Sequence, residues 1–310
     1  MEQRVITILG GTGFLGRYVV RRLAKDGFRL RIVSRNPNDS LELITAGHVG
    51  QIALLAGDIN DPKSYAKALK GSYAVINLVG ILFDRGKQNF TNIHSLGAEK
   101  LAVAAKAAGV QRFIQISALG VENEAGSNYA RSKFLGEQAV LRAFPDASII
   151  RPSIIFGAED NFFNKFAKLA ALSPFLPLIG GGRTLFQPVY VDDIAKAIET
   201  LLLQNTGRGQ IYELGGAQVY SFRQILEYIL AVTGKARRFI PIPFGLASII
   251  GRIGEYLPTP PLTRDQIKLL KYDNTVNPTL KSFKHLGITP TAVELIVPEY
   301  LSIFSKKSAA

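Results

Sequence analysis

A chain of 310 residues, 47% of them hydrophobic, with 29 glycines and 15 prolines, has ordinary globular composition and room for one large α/β domain or a domain with a smaller appendage. Cysteine is absent, which excludes disulfides, thiolate metal sites and thiol catalysis together and leaves the compartment open. The formal net charge of +13 calls for an anionic partner, and nucleic acid, an anionic membrane surface and an acidic protein all qualify.

Residues 4–20, RVITILGGTGFLGRYVV, read as an apolar strand running into three glycines, Gly10, Gly13 and Gly16, and then a helix. This order is built to hold a dinucleotide. One glycine allows positive φ at the turn, a second lets main-chain N–H groups approach a pyrophosphate, and a third lets helix and strand pack closely. The helix N-terminus adds partial positive charge, and Thr12, Phe14 and Leu15 complete the expected cradle. A strand at the very start of the chain leaves no room for a signal or transit peptide, and no apolar stretch reaches the ~18 residues of a spanning helix.

The second strand, Arg29 to Ser34, delivers Ser34 and Arg35 to the place where an NAD-selecting fold puts an acidic residue. A guanidinium pairs with a 2′-phosphate that a carboxylate would repel, so NADP(H) is expected over NAD(H). The other reading of Arg35 is a solvated arginine after a strand. A third strand, LLAGD, leads to Asp58 and Ile59, which suit the edge and face of an adenine; Asp58 equally suits a turn before Pro62.

Strands follow at Ala74 to Leu78, Arg112 to Ser117 and Ala147 to Arg151, with helical stretches at Ile93 to Ala108, marked by Leu96, Leu101 and Val103, and at Asn128 to Ala143. Such alternation predicts a Rossmann-like, doubly wound parallel sheet. Leu78, Val79 and Gly80 in the loop NLVG, and Pro152 and Ile155 after the last of these strands, are expected on the nicotinamide side. Beyond Pro152 come a helix at Phe162 to Leu172, a Gly-rich loop at Leu178 to Arg183, and the strand-helix VYVDDIAKAIETLLL. From Tyr220 onward the chain is helix-rich and broken by Pro241, Pro243, Pro258, Pro260 and Pro261. The predicted division is a nucleotide domain of residues 1–155 and 185–216 interleaved with a smaller domain of residues 156–184 and 217–310.

Ser117 ends a strand, and Tyr129 and Lys133 stand one turn apart on the next helix. The ammonium is expected to lower the tyrosine pKa from about 10, so that the phenol exchanges a proton with a substrate oxygen that Ser117 polarises.

In this order the motifs resemble the short-chain dehydrogenase/reductase superfamily, in its extended or atypical branch. GGTGFLG, Gly57-Asp58, Ser117 with Tyr129 and Lys133, Arg151-Pro152 and VYVDDIA carry the resemblance over essentially the whole chain. Three segments, GGGRTLFQPVYVDDIAKAI, PPLTRDQIKLLKYDN and LGITPTAVELIVPEYL, are similar to the nucleotide-binding accessory subunits (alpha-subcomplex subunit 9 type) of respiratory complex I, NADH:ubiquinone oxidoreductase, and their bacterial relatives. That resemblance implies tightly held NADPH, complex I subunits as partners, and no established turnover. It also implies a cytoplasmic protein, peripheral on the cytoplasmic face of the inner membrane.

Two positions depart from the catalytic pattern: His94 stands where extended members often carry asparagine, three residues before Gly97, and NLVG replaces a plainer small-residue loop. An imidazole either shuttles protons there or is hydrogen-bonded and structural. Farther on, Arg237-Arg238 leads into FIPIPFGLASIIGRIGEYLP, which suits either an anionic membrane surface or the core of the second domain. Lys and Arg are scattered without aromatic interleaving, so nucleic acid is not expected, and neither is a metal. The functions left are an NADPH-holding accessory or assembly subunit, a working NADP-dependent oxidoreductase, epimerase or dehydratase, and an NADPH redox sensor.

Overall fold

The computed structural model describes residues 4–123, 126–204, 207–257, 260 and 262–305; Pro258 and Pro261 lie outside the described residues. In chain order the first half contains β1 (Val5–Leu9), α1 (Phe14–Lys25), β2 (Arg29–Ser34), β3 (Ile52–Ala56), α2 (Pro62–Leu69) and β4 (Ala74–Asn77). A π-helical turn, Thr91–Gly97, runs into α3 (Ala98–Ala107), followed by β5 (Arg112–Ile116), α4 (Asn128–Ala143) and β6 (Ser148–Pro152). The second half contains β7 (Ile155–Phe156), α5 (Phe163–Leu172), β8 (Phe175–Ile179), β9 (Leu185–Phe186), β10 (Val189–Tyr190), α6 (Val191–Leu203) and β11 (Ile211–Leu214). It closes with β12 (Tyr220–Ser221), α7 (Phe222–Thr233), β13 (Arg238–Ile242), α8 (Phe244–Gly254), α9 (Arg264–Leu269) and α10 (Val293–Leu301).

Seven strands form one sheet in the order β11-β6-β5-β4-β1-β2-β3, and every pairing in it is parallel. Its apolar runs serve two faces. Ile6, Ile8, Ile76, Ile114 and Ile150 point to a core shared with Val19, Val20 and Leu23 of α1 and Ile198 and Leu201 of α6. Leu9, Val75, Phe113 and Ile149 point to the opposite core, with Tyr65, Leu101 and Val140 from the helices there. The Rossmann-like doubly wound sheet expected from the alternation is therefore present, and sequence period two divides each strand between two helical layers.

The stretch predicted as one helix over 93–108 opens as a π-helical turn instead. The extra residue in that turn brings Ile93 onto the buried stripe of Ala98, Leu101, Ala102 and Ala105, and Leu96 and Val103 lie on the exposed face. Room for the turn comes from α4: a Cβ on Gly136 would lie 1.9 Å from the His94 carbonyl oxygen.

A third core gathers Phe156, Phe163, Phe186, Phe222 and Val297 from the elements after β6. It is tied to the sheet layer at Asp193, which accepts from the Thr291 amide at 2.7 Å and hydroxyl at 3.0 Å, while the neighbouring Asp192 joins α6 to α1 through two hydrogen bonds from Arg22 at 2.7 and 2.6 Å. The apolar segment after Arg238 divides into β13, paired with β8, and α8. In α8 the small residues Ala247, Gly251 and Gly254 face inward, while Leu246, Ile249, Ile250 and Ile253 are exposed. Burial in a core accounts for the former and not for the latter.

Candidate functional site

At the carboxyl end of β1 the backbone of Gly10 sits at φ 79°, in the left-handed region, and an added Cβ would lie 3.1 Å from the Leu78 carbonyl carbon and the Val79 nitrogen. At Gly16 the added atom would lie 2.5 Å from the Gly10 oxygen and the Gly11 carbonyl carbon. These glycines let the first turn of α1 close onto the loop after β1. No acidic side chain occupies that turn, so the amides and dipole of α1 remain available to an anion. Thr12 and Phe14 are half-buried, Gly13 caps the helix, and Leu15 is buried in the core.

Ser34 ends β2 with a buried hydroxyl that has no hydrogen-bond partner, and Arg35 beside it is exposed. An orphaned buried donor costs free energy unless a ligand satisfies it, so this pair fits a ribose and its phosphate. The next pair behaves differently. Asp58 is held as a turn, accepting the Asn60 amide at 2.9 Å and donating its own amide to Ser64 at 3.0 Å, and Ile59 is buried against Gly97.

Past β4, the Asn77 side chain accepts the Val79 amide at 3.1 Å and donates to Gln115 at 2.9 Å, which fixes the loop NLVG. Leu78 and Val79 are half-buried there. Gly80 presents bare backbone to Lys133, whose Nζ would stand 3.2 Å from a Cβ at that position.

Ser117, at the exit of β5, is buried with its hydroxyl unpartnered, the same condition as Ser34. Lys133 is buried beside it and donates to the Ile116 carbonyl at 3.2 Å. The Tyr129 ring stands edge-on to His94 and Phe90, with centroids 5.3 and 5.8 Å away. Pro152 is buried at the end of β6, and Ile155 is half-buried where β7 pairs with β10.

Electrostatics in this pocket depart from the sequence expectation. Burial pushes the Tyr129 phenol up to about 12, with no lowering by the ammonium. Burial also pulls Lys133 down to about 8 against the opposing pull of Glu137, and one of its three ammonium protons is engaged by the Ile116 carbonyl. Desolvation wins over the charge of the lysine.

His94 is structural. Its Nε2 accepts the Ile81 amide at 3.0 Å, so the ring is neutral with its proton on Nδ1, which donates to Ser132 Oγ at 2.9 Å; that hydroxyl donates to the Tyr129 carbonyl at 2.8 Å. Burial and the neighbouring Lys133 hold the imidazole down near about 2. Neither ring nitrogen is free to shuttle a proton.

Sequence reasoning passed over two residues. Asp265 accepts from the Ser127 hydroxyl at 2.6 Å and from the amides of Asn128 and Tyr129 at 2.8 and 2.9 Å. Asn274 accepts from the Ser153 hydroxyl at 2.7 Å and the Ile154 amide at 3.2 Å, directly after Pro152. The only signal for Asp265 was its place in TRDQ, where Thr263 and Gln266 form a capping box and leave the aspartate free to reach outward.

Residues 6–215 match the NAD dependent epimerase/dehydratase family. The chain belongs to that family. It is 35% identical to NADH dehydrogenase (ubiquinone) 1 alpha subcomplex subunit 9, mitochondrial, of Arabidopsis thaliana, over 97% of this chain and 78% of that protein. A ceramide reductase of Caulobacter vibrioides is 33% identical over 77% of this chain and 74% of that protein. In fold, the dTDP-glucose 4,6-dehydratase DesIV of Streptomyces venezuelae, solved with NAD bound, superposes with a TM-score of 0.72 over 96% of this chain and 95% of that one, at 20% identity. Among the described residues no group of three or more His, Asp or Glu is arranged for a metal, and no helix is long and apolar enough to cross a membrane.

Proposed function

We propose that this chain is an NADP(H)-holding accessory or assembly subunit of NADH:ubiquinone oxidoreductase, peripheral on the cytoplasmic face of the inner membrane. One observation carries the reading: likeness to the alpha subcomplex subunit 9 proteins extends over 97% of the chain, well past residue 215, where the general family match stops. The added length holds Asp265, Asn274 and Thr291, each bonded to the nucleotide-binding part, in a smaller domain of residues 156–184 and 217–310. In this reading Gly10, Thr12, Gly13, Phe14, Leu15 and Gly16 cradle the pyrophosphate and Ser34 and Arg35 take the 2′-phosphate. Asp58 and Ile59 flank the adenine. Leu78, Val79, Gly80, Ser117, Tyr129, Lys133, Pro152 and Ile155 surround the nicotinamide.

The outward face of α8, with Leu246, Ile249, Ile250 and Ile253 exposed beside Arg252, is the surface we assign to docking on the complex or on anionic lipid. A tagged chain from detergent-solubilised membranes is expected to co-migrate with NADH:ubiquinone oxidoreductase activity on native gels. Migration apart from it, with respiration unchanged by deletion of the gene, would overturn the proposal.

A second reading is favoured by the presence of Ser117, Tyr129 and Lys133 in a chain that is 33% identical to a ceramide reductase. Bound NADPH supplies a hydride in such chemistry. Ser117 would hold the carbonyl oxygen, Tyr129 would give it a proton, and Lys133 would keep the phenol oriented. Consumption of NADPH with a long-chain ketone, abolished by Tyr129→Phe, is the result that would establish it.

A further inference from the structure

The geometry points to residues 263–274 as a clasp across the nicotinamide end of the groove, with Asp265 as the residue that positions Tyr129. This inference rests on the NADP(H) reading of the groove.

The first amides of any helix have no partner within it. In α4 those of Asn128 and Tyr129 are filled by the carboxylate of Asp265, which lies 137 and 136 residues farther along the chain. The same carboxylate accepts a hydrogen bond from the hydroxyl of Ser127, the N-cap residue, whose oxygen in turn accepts the Ala130 amide at 3.2 Å. These are charge-assisted bonds at the positive end of the helix dipole. Tyr129 sits in the turn they fix. Lys133, one turn deeper, is held independently by the Ile116 carbonyl.

The other end of the segment grips the opposite wall. Asn274 holds Ser153 and Ile154 and also pairs its backbone with Leu185 and Gln187, at 2.8 and 3.1 Å. Between the two anchors, the Leu270 carbonyl accepts the Thr184 hydroxyl, and Asp273 accepts the Leu185 amide at 2.8 Å. One continuous segment therefore ties the tyrosine-bearing helix to the turn after Pro152. In the NADP(H) reading those two sides flank the nicotinamide. Opening that end costs the Asp265 and Asn274 bonds together, so NADPH release is slow and set by the clasp.

The test follows NADPH fluorescence after a chase with excess NADP+, in wild type and in Asp265→Ala, Asp265→Asn and Glu227→Ala. Asp265→Ala should speed release at least about tenfold, with association changed less than about twofold. Asp265→Asn keeps an acceptor oxygen and should recover part of the slow release. Glu227→Ala, outside the segment, loses an exposed pair with Arg223 and should match wild type. Release from Asp265→Ala within twofold of wild type would overturn the clasp. If the wild type binds no NADPH, the cofactor reading fails instead, and hydrogen exchange of nucleotide-free protein decides the clasp. Amides 128–131 should exchange faster in Asp265→Ala, and unchanged protection would refute the positioning role.

Discussion

His94 Nε2 accepts the backbone proton of Ile81 at 3.0 Å, so the one imidazole in the pocket is spent on joining the loop after β4 to the helix that carries Tyr129. A neutral ring is required, and stability follows from that. The folded histidine titrates near about 2, whereas in the unfolded chain it protonates below about 6.5. Unfolded protein therefore binds the extra proton between those values, and stability falls as pH drops through 6.5, by up to about 1.4 kcal/mol per pH unit from this group. Urea unfolding of wild type and His94→Asn at pH 7.5 and 5.0 should show the wild type losing more stability on acidification. Parallel losses would mean that the ring is not held neutral.

In the NADP(H) reading, cofactor choice turns on the end of β2. Arg35 is exposed beside the orphaned Ser34 hydroxyl, free to pair with a 2′-phosphate. Arg35→Ala should weaken NADPH about ten- to a hundredfold, the scale of a charge-assisted bond, and leave NADH nearly unchanged. Calorimetric titration with both cofactors checks this. Equal losses would reassign the arginine to solvent.

Arg151 is buried with a bidentate partner in Glu137, at 3.0 and 2.8 Å, and with Glu122 and Glu213 at 2.6 and 3.4 Å. Its removal strands two buried carboxylates, so Arg151→Met should cost about 3–5 kcal/mol. Glu122 is the exposed member, and Glu122→Ala should cost about 1 kcal/mol or less. Chemical denaturation of the two variants separates a buried ion cluster from a surface pair.

The outward face of α8 gives a prediction independent of the nucleotide. Ile249→Glu with Ile253→Glu changes side chains that are 60% and 67% exposed, so folding should be nearly unaffected. Association with membranes should fall sharply, as measured by flotation with vesicles containing phosphatidylglycerol. Unchanged flotation would show that this face docks elsewhere.

The parallel sheet was legible because each strand is a short apolar run followed by a helical pattern, and Gly10, Gly13 and Gly16 punctuate the first of them. Ser117, Tyr129 and Lys133 were legible as candidates, but their protonation was not. Burial outweighed the ammonium, and burial is a property of the packed state. The π-turn escaped notice because it depends on the missing side chain of Gly136, on a helix 42 residues away from His94 in the chain. Asp265 and Asn274 escaped it for the same reason: nothing local in a sequence says which distant amide a loop carboxylate will cap.

The bond between Arg22 and Asp192 spans 170 residues. While the chain is being made, α1 emerges early with Val19, Val20 and Leu23 prepared for a core whose other wall, α6, has yet to be translated. At roughly 5–20 residues per second, that interval lasts about 10–30 s. The sheet is equally incomplete until β11 arrives to pair with β6. The order of synthesis thus leaves the apolar side of α1 and one edge of the sheet without their partners until about two thirds of the chain has been made.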